Sequence, residues 1–400
     1  MKIAVITQYY KPEMGAPQNR LFEMCAGLKQ LGAVVSIVTA MPNYPTGKIF
    51  DAYRGRFVCD EKVDDIPVRR YWLYASNSRK VLPRIWNMIS FSIMVLCSLR
   101  YLRKQKNDII IVESPPLTLA VSAWLLAKCT RTKLILNVSD LWPLSAMELG
   151  AISKDGLTYR CLAWLERWLY QHADACLGQS QEIVDYIASH GAKKTYLFRN
   201  GVNPERFRNN QAVSPEPNDK LQIVYTGLLG YAQGILDLCR NVDFASLNAE
   251  FHIYGAGGEQ EPIEQYVTEN HKGITYHGKV SREDIPTVLV KYDCTLIPLV
   301  KNIYGAVPSK IYESMAAGLP ILFAGEGEGA RIVLENELGW VSKSKDFDML
   351  SQNILAATNQ MKREEIRSHC IDCANSKFNR PQQIGRLYDF LQQLVIQVMS

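Results

Sequence analysis

Residues 305–322, Gly-Ala-Val-Pro-Ser-Lys-Ile-Tyr-Glu-Ser-Met-Ala-Ala-Gly-Leu-Pro-Ile-Leu, bring a cation, an acid and a helix start into one short run. Pro308 and Ser309 can open a helix, because proline fits a first turn and a serine oxygen can cap free amides. Lys310 then falls in the first turn, and Glu313 follows at the spacing that puts it on the same face as Ser309 and Lys310. A helix N-terminus with an ammonium beside it favours phosphate, and a carboxylate accepts from hydroxyls, so the face suits an anionic, hydroxyl-rich ligand. The plainer alternative is a cap followed by a solvated ion pair. Gly318 stops the helix and Pro320 cannot continue it. Elsewhere, Glu113 and Asp140 are carboxylates just past apolar strand candidates, where they are either helix caps or ligand contacts. Gly255 and Gly257 follow another strand candidate and are either tight-turn residues or places where backbone approaches a ligand.

The elements that must hold these groups alternate regularly. Lys2–Thr7 reads as a strand buried on both faces, Gln18–Leu31 as a helix stopped by Gly32, and Val34–Thr39 as the next strand. Further buried strands are expected at 109–112, 133–138, 175–177 and 195–198, with helical stretches between them, the pattern of a parallel sheet. After a polar segment the same order restarts, with strands at 221–226, 251–254, 275–277, 294–298 and 321–323. The reading is therefore an α/β chain with two doubly wound, Rossmann-like domains facing a central cleft. Residues 1–203 form the first domain, 204–220 a linker, 221–380 the second domain, and 381–400 a helix returning towards the first.

Composition agrees with two cores, since 400 residues at 47% hydrophobic content exceed what one core usually holds. Charge is uneven: residues 1–200 carry 26 basic and 16 acidic side chains, residues 201–400 carry 19 and 24. The first half should therefore prefer an anionic partner such as a phospholipid surface or lipid phosphate. Its most apolar run, Ile85–Leu99, is bracketed by Arg84 and Arg100 and followed by Arg103, Lys104 and Lys106. It is shorter than the ~20 residues a spanning helix needs. It reads either as a buried helix or as an interfacial one, with Trp86 and Phe91 as anchors in an anionic membrane surface. Ten cysteines lie scattered with no framework, and no signal peptide precedes the first strand, which points to a reducing cytosol. Cys370 and Cys373 form a Cys-x-x-Cys pair with only His369 nearby, thin support for zinc or redox work.

The chain resembles the GT-B retaining glycosyltransferases of family 4, most closely bacterial members that transfer an amino sugar in O-antigen or capsule assembly. The resemblance rests on Gly15 in the loop after the first strand, on Asp140-Leu-Trp-Pro143, on Ile253-Tyr-Gly-Ala-Gly257 and on Pro308 to Pro320, and it runs over nearly the whole chain. It implies that Glu313 holds the donor ribose, as the second acid of a Glu-x7-Glu pattern. The first acid would stand at residue 305, where this chain has Gly305, so one usual contact to the donor sugar is missing. Relatives also place Arg and Lys in the loop after the second domain's first strand, where this chain has Leu228 and Gln233. The diphosphate is then left to Lys310, the helix N-terminus at Ser309, backbone amides around Gly227 and Gly15, and Arg20 or Lys11, with Gln233 as an uncharged contact. Gly255 and Gly257 match the loop near base and ribose, and Lys279 and Val280 the place where relatives grip the base.

The resemblance further implies front-side attack with the departing diphosphate helping to take the acceptor proton. Residues 1–171 contain no histidine, so Asp140 and Glu113 are the candidates if a protein base is used. No Asp-x-Asp pattern stands near a strand end, which suits a metal-independent mode with no cofactor beyond the donor. The expected function is transfer of an N-acetylated amino sugar from a UDP-sugar to a polyprenyl-diphosphate-linked acceptor, by a cytoplasmic protein peripheral to the inner face of the cell membrane. No nucleic acid is expected as a partner. A nucleotide-sugar epimerase on the same scaffold and a non-catalytic nucleotide-sugar-binding assembly protein are the alternatives.

Overall fold

The computed structural model describes residues 1–13, 15–78, 80–208, 218–270 and 272–396. It divides into two compact units, Met1–Arg199 with the segment from Pro381, and Asn200–Arg380. Most of the expected linker, residues 209–217, lies outside the described residues; Glu205–Arg208 before it forms one helical turn.

Among the described residues the first unit holds eight strands: β1 (Lys2–Thr7), β2 (Val34–Ala40), β3 (Val58–Val63), β4 (Ile66–Tyr71), β5 (Ile109–Ser114), β6 (Lys133–Val138), β7 (Ala175–Gly178) and β8 (Thr195–Leu197). Their order is β3-β4-β2-β1-β5-β6-β7-β8, parallel except for the β3–β4 hairpin. β1, β5 and β6 are mostly apolar and, beyond Lys2 and Lys133 at their starts, buried, because helices cover both faces of the sheet. On one face, Leu21, Met24 and Leu28 pack with Ile384, Leu387 and Leu391 of the C-terminal helix Arg380–Ile396. On the other lie helices Val81–Met94, Leu117–Thr130 and Leu157–His172.

The hairpin is absent from the sequence reading. Its turn is Asp64-Asp65, both with positive φ (49° and 59°), the left-handed pair that a two-residue hairpin requires. It positions Arg70, which is fully buried. That guanidinium donates to Glu61 Oε1 (2.5 Å), to the Ala40 carbonyl (3.2 Å) and to the Lys11 carbonyl, tying the loop after β1 to the sheet. Glu13, 1% exposed, fixes the same loop from the other side, accepting from the backbone amides of Asn43 and Tyr44 (2.8 Å each) and Tyr10 (3.2 Å).

Within helix Val81–Met94, Phe91 is buried in the core together with Val95 and Leu102 just beyond. This corrects its expected role as an interface anchor: the turn that exposes Trp86 and Ile93 points Phe91 at the sheet. The continuous helical run Leu82–Gln105 is long and apolar enough to cross a bilayer by composition, yet its inward residues belong to the α/β core.

The second unit is an all-parallel sheet of β9 (Leu221–Leu228), β10 (Ala249–Ala256), β11 (Ile274–Gly278), β12 (Cys294–Pro298), β13 (Ile321–Ala324) and β14 (Gly339–Ser342), in the order β11-β10-β9-β12-β13-β14. β14 also escapes the sequence reading, because four residues, three of them half-buried, carry little pattern. In each unit the strand order reverses at one place, between β1 and β5 and between β9 and β12. Doubly wound sheets bind ligands at such switch points, beyond the carboxyl ends of the strands.

Candidate active site

In the second unit the switch point carries Gly227 at the end of β9 and, after β12, the helix Lys310–Ala317. The helix begins at Lys310 and ends at Gly318, whose φ of 68° is the left-handed stop. Ser309 does not cap it as expected: its backbone is already helical (φ −61°, ψ −21°) and its side chain makes no cap bond. The first-turn amides therefore lack a side-chain acceptor from that residue.

Lys310 turns back over β9. A Cβ on Gly227 would stand 2.4 Å from Lys310 Cε and 2.6 Å from Nζ, so only glycine leaves room for the lysine here. Gly227 also has φ +146°, a region side chains rarely adopt. Nζ sits 5.0 Å over the ring of Tyr225, whose hydroxyl donates to the Leu228 carbonyl (2.6 Å) and so holds the ring. Tyr225 is a participant that sequence reading passes over, since in a buried strand it reads as core. Among the described residues no hydrogen bond or ion pair engages the Lys310 ammonium, and Glu313, half-buried one turn on, is likewise without one. Burial pushes Lys310 below the usual lysine range, while Glu313 pulls it back up. The arrangement is a half-desolvated cation and a carboxylate on one helix face, both with bonding capacity to spare.

The glycines after β10 serve the neighbouring loop. A Cβ on Gly255 would meet the Gly227 carbonyl at 1.9 Å, and one on Gly257 the Leu229 carbonyl at 2.2 Å. The amide of Leu229 donates to Ala256 O, and that of Glu259 to Leu229 O (3.0 Å each). Their absent side chains let the β9 and β10 loops close on each other, which fixes Gly227. Lys279 is exposed and Val280 half-buried just past β11. Gln233 lines a pocket with Gly234, Val300 and Lys345, and Lys345 is paired with Asp237 at 3.1 Å. None of Gly227, Lys310 or Glu313 lines that pocket.

In the first unit, Gly15 precedes helix Ala16–Gln30, and Gln18 Oε1 occupies the space where its Cβ would be (2.4 Å). Arg20, in that helix, reaches β5 and pairs with Glu113 Oε1 at 2.5 Å, while Asn137 of β6 donates to Glu113 Oε2 at 2.5 Å. All three are buried. Two residues that sequence reading assigns to different tasks, diphosphate and base, are thus bonded to each other. Lys11 pairs with exposed Asp64 at 3.2 Å. Asp140 stands past β6, half-buried, with the Ser145 hydroxyl donating to it (3.1 Å). Burial raises its pKa, opposed by Ser145 and the Leu141 amide.

Asp140 also acts on Glu166, a buried carboxyl that sequence reading misses. Glu166 is 1% exposed and receives the hydroxyls of Tyr170 (2.8 Å) and Tyr186 (3.2 Å). Burial first, and Asp140 in addition, raise its pKa from 4.5 to about 7. A carboxyl raised on folding contributes stability that is present below the unfolded value and lost as pH rises through the folded one. Its contribution should therefore fall between about pH 4.5 and 7. Glu166→Gln should flatten that part of the pH–stability curve and raise Tm at pH 8, measured by thermal unfolding across pH. A curve unchanged in slope would remove Glu166 as its source.

A model for the glycosyl transferase 4-like domain matches residues 15–201, and one for the glycosyl transferases group 1 matches residues 220–360. The chain belongs to the GT-B glycosyltransferases of family 4. WcaI of Escherichia coli K12, named as a colanic acid biosynthesis glycosyl transferase, is 26% identical over 336 residues, 80% of this chain and 82% of its own. Among solved structures, sucrose-phosphate synthase from Thermosynechococcus elongatus superposes with TM-score 0.73 at 16% identity, over 99% of both chains. Anabaena HepE in complex with UDP gives 0.70 at 16% identity, over 98% of this chain and 100% of that one. These likenesses establish the fold of the glycosyltransferase, and with it the parallel sheets whose switch points carry Gly227 and Lys310.

Proposed function

We propose that this glycosyltransferase moves an N-acetylated amino sugar, with retention, from a UDP-sugar to a polyprenyl-diphosphate-linked acceptor in O-antigen or capsular polysaccharide assembly. The observation that carries the donor reading is the Lys310 cation, unpaired among the described residues and seated on Gly227 at a sheet switch point, with Glu313 on the same helix face. HepE in complex with UDP supports the nucleotide, and the name of WcaI supports the polysaccharide setting. Departure of a diphosphate builds negative charge, and a fixed ammonium in a half-desolvated place stabilises that charge more in the transition state than in the ground state. No metal or cofactor enters this scheme, because the fixed cation takes the charge. Of the two carboxylates, Glu113 is committed to Arg20 and Asn137, so Asp140 is the stronger candidate if a protein base takes the acceptor hydroxyl proton.

The test incubates purified protein with UDP-N-acetylhexosamines and a polyprenyl-diphosphate-sugar acceptor, and reads products by mass and anomeric configuration. An α-linked product from an α-donor is expected. Donor conversion without acceptor would point to an epimerase, and donor binding without product to a non-catalytic assembly protein; either result would replace this reading.

The same proposal places the protein in the cytoplasm, at the inner face of the cell membrane. Leu82, Trp86 and Ile93 are 78%, 55% and 57% exposed along one helix, and Arg84, Arg100, Arg103 and Lys104 are exposed around them. Aromatic and aliphatic side chains with a basic rim suit anionic headgroups. Wild-type protein should sediment with phosphatidylglycerol vesicles at low salt and release at high salt, and Trp86→Glu with Ile93→Glu should stay in the supernatant. Equal sedimentation of both proteins would remove this helix as the contact.

A further inference from the structure

Outside the Lys310 group, the second unit holds a pair of histidines that the transfer reaction does not use. β10 alternates, burying Ala249, Phe251 and Ile253 and leaving Glu250, His252 and Tyr254 half-buried on the other face. In β11 the pairing with β10 passes from Tyr276 to Gly278 where β10 passes from Ile253 to Tyr254, so His277 is the extra residue of a bulge. Its exposed ring comes to His252, with Nε2 2.9 Å from His252 Nδ1.

The hydrogen bonds around the pair fix which nitrogen carries a proton. Gln222 Nε2 donates to the Lys220 carbonyl (3.1 Å) and to Glu250 Oε2 (3.3 Å), which assigns the amide and turns its Oε1 towards His252 Nε2 (2.9 Å). An amide oxygen only accepts, so His252 Nε2 carries the hydrogen and Nδ1 presents its lone pair to His277. A second ring nitrogen bonded to an amide or carboxyl oxygen is the arrangement that orients metal-ligating histidines. The ring of His277 is held by stacking on Tyr254 at 4.4 Å and 8°, and Tyr254 is anchored through its hydroxyl to that of Tyr292 (2.8 Å).

We propose that His252 Nδ1 and His277 Nε2 form a binding site for one divalent transition-metal ion of the Zn²⁺ or Ni²⁺ class, which clips β11 to β10. Two imidazole nitrogens, each ~2.1 Å from such an ion, stand roughly 3.0–3.4 Å apart; the rings now meet head-on, with centroids 5.2 Å apart, so both must swing off their common axis to point at one ion. Binding needs Nε2 of His277 free of its proton; that proton passes to water and Nδ1 takes one up, so the ring stays neutral. Water completes the coordination, since among the described residues no third histidine, cysteine or carboxylate joins the pair.

The experiment titrates Zn²⁺ into tag-free, EDTA-treated full-length protein by calorimetry and follows Tm with and without the ion. One saturable equivalent and a chelator-reversible rise in Tm are expected. His277→Ala and His277→Gln, at an exposed position and checked first for an unchanged Tm without metal, should lose both. Gln222→Leu, which removes the orienting acceptor, should weaken binding about 10–100-fold. Saturable binding that survives in both His277 variants, or weak binding alike in all proteins, overturns the site.

Discussion

Lys310→Ala should lower kcat by about two to three orders of magnitude, the loss typical when one preorganised donor to developing charge is removed. The ammonium rests on the bare Cα of Gly227 and over the Tyr225 ring, with no acceptor among the described residues. Its burial without a partner is a cost to the unliganded fold, visible as a pKa below the usual lysine range. Tm should therefore stay level or rise while turnover falls, the opposite signs expected of a residue kept for function at the expense of stability. Lys310→Met separates packing from charge, because it keeps most of the stem. Both variants should lose turnover alike, measured at saturating donor with the product assay above. Normal turnover in either would remove Lys310 from the chemistry, whereas a matching fall in Tm would assign it to the core.

The second large effect concerns stability. Arg20→Ala should cost the first unit about 3–5 kcal/mol, because it leaves the Glu113 carboxylate buried with Asn137 as its remaining side-chain donor. Replacing both partners by apolar residues, as Arg20→Met with Glu113→Leu, should recover much of that loss, since the pair's attraction mainly offsets its own desolvation. Six of the seven tryptophans lie before residue 200, so tryptophan fluorescence during urea unfolding reports this unit. If Arg20→Ala kept its unfolding midpoint and instead raised the KM for donor, the arginine would belong to the diphosphate and not to the scaffold. The same pair of measurements discriminates for Glu113, where a role as base would appear in kcat without a stability loss.

These two cases mark how far the sequence could be read. The buried parallel strands were legible because helices on both faces demand continuous apolar runs, and β1, β5, β6, β9 and β12 have them. The β3–β4 hairpin was not, because an edge pair containing Asp60, Glu61 and Lys62 carries no such run. Its signal was the Asp64-Asp65 turn between alternating stretches. The start and stop of the Lys310 helix were legible from Pro308 and Gly318. The mode of its start was not, since Ser309 as cap or as helical residue depends on backbone angles that composition leaves open. The apolar run at Ile85–Leu99 was plain, but which side faced inward depended on the helix Leu117–Thr130 packed beside it, and Phe91 went to the core.

For the site, sequence alone supplied the residue types: a lysine and an acid one turn apart, glycines after strands, carboxylates near strand ends. It also supplied the family, because those types recur at set distances along the chain. It did not supply partners. Arg20 and Glu113 are 93 positions apart, and His252 and His277 are 25 apart across a bulge. Local spacing follows from the periods of helix and strand, which each segment writes into its own residues. Which charge meets which, and which ammonium is left without an acceptor, is fixed only when distant segments pack together, and for Lys310 that was decided by a glycine 83 residues earlier in the chain.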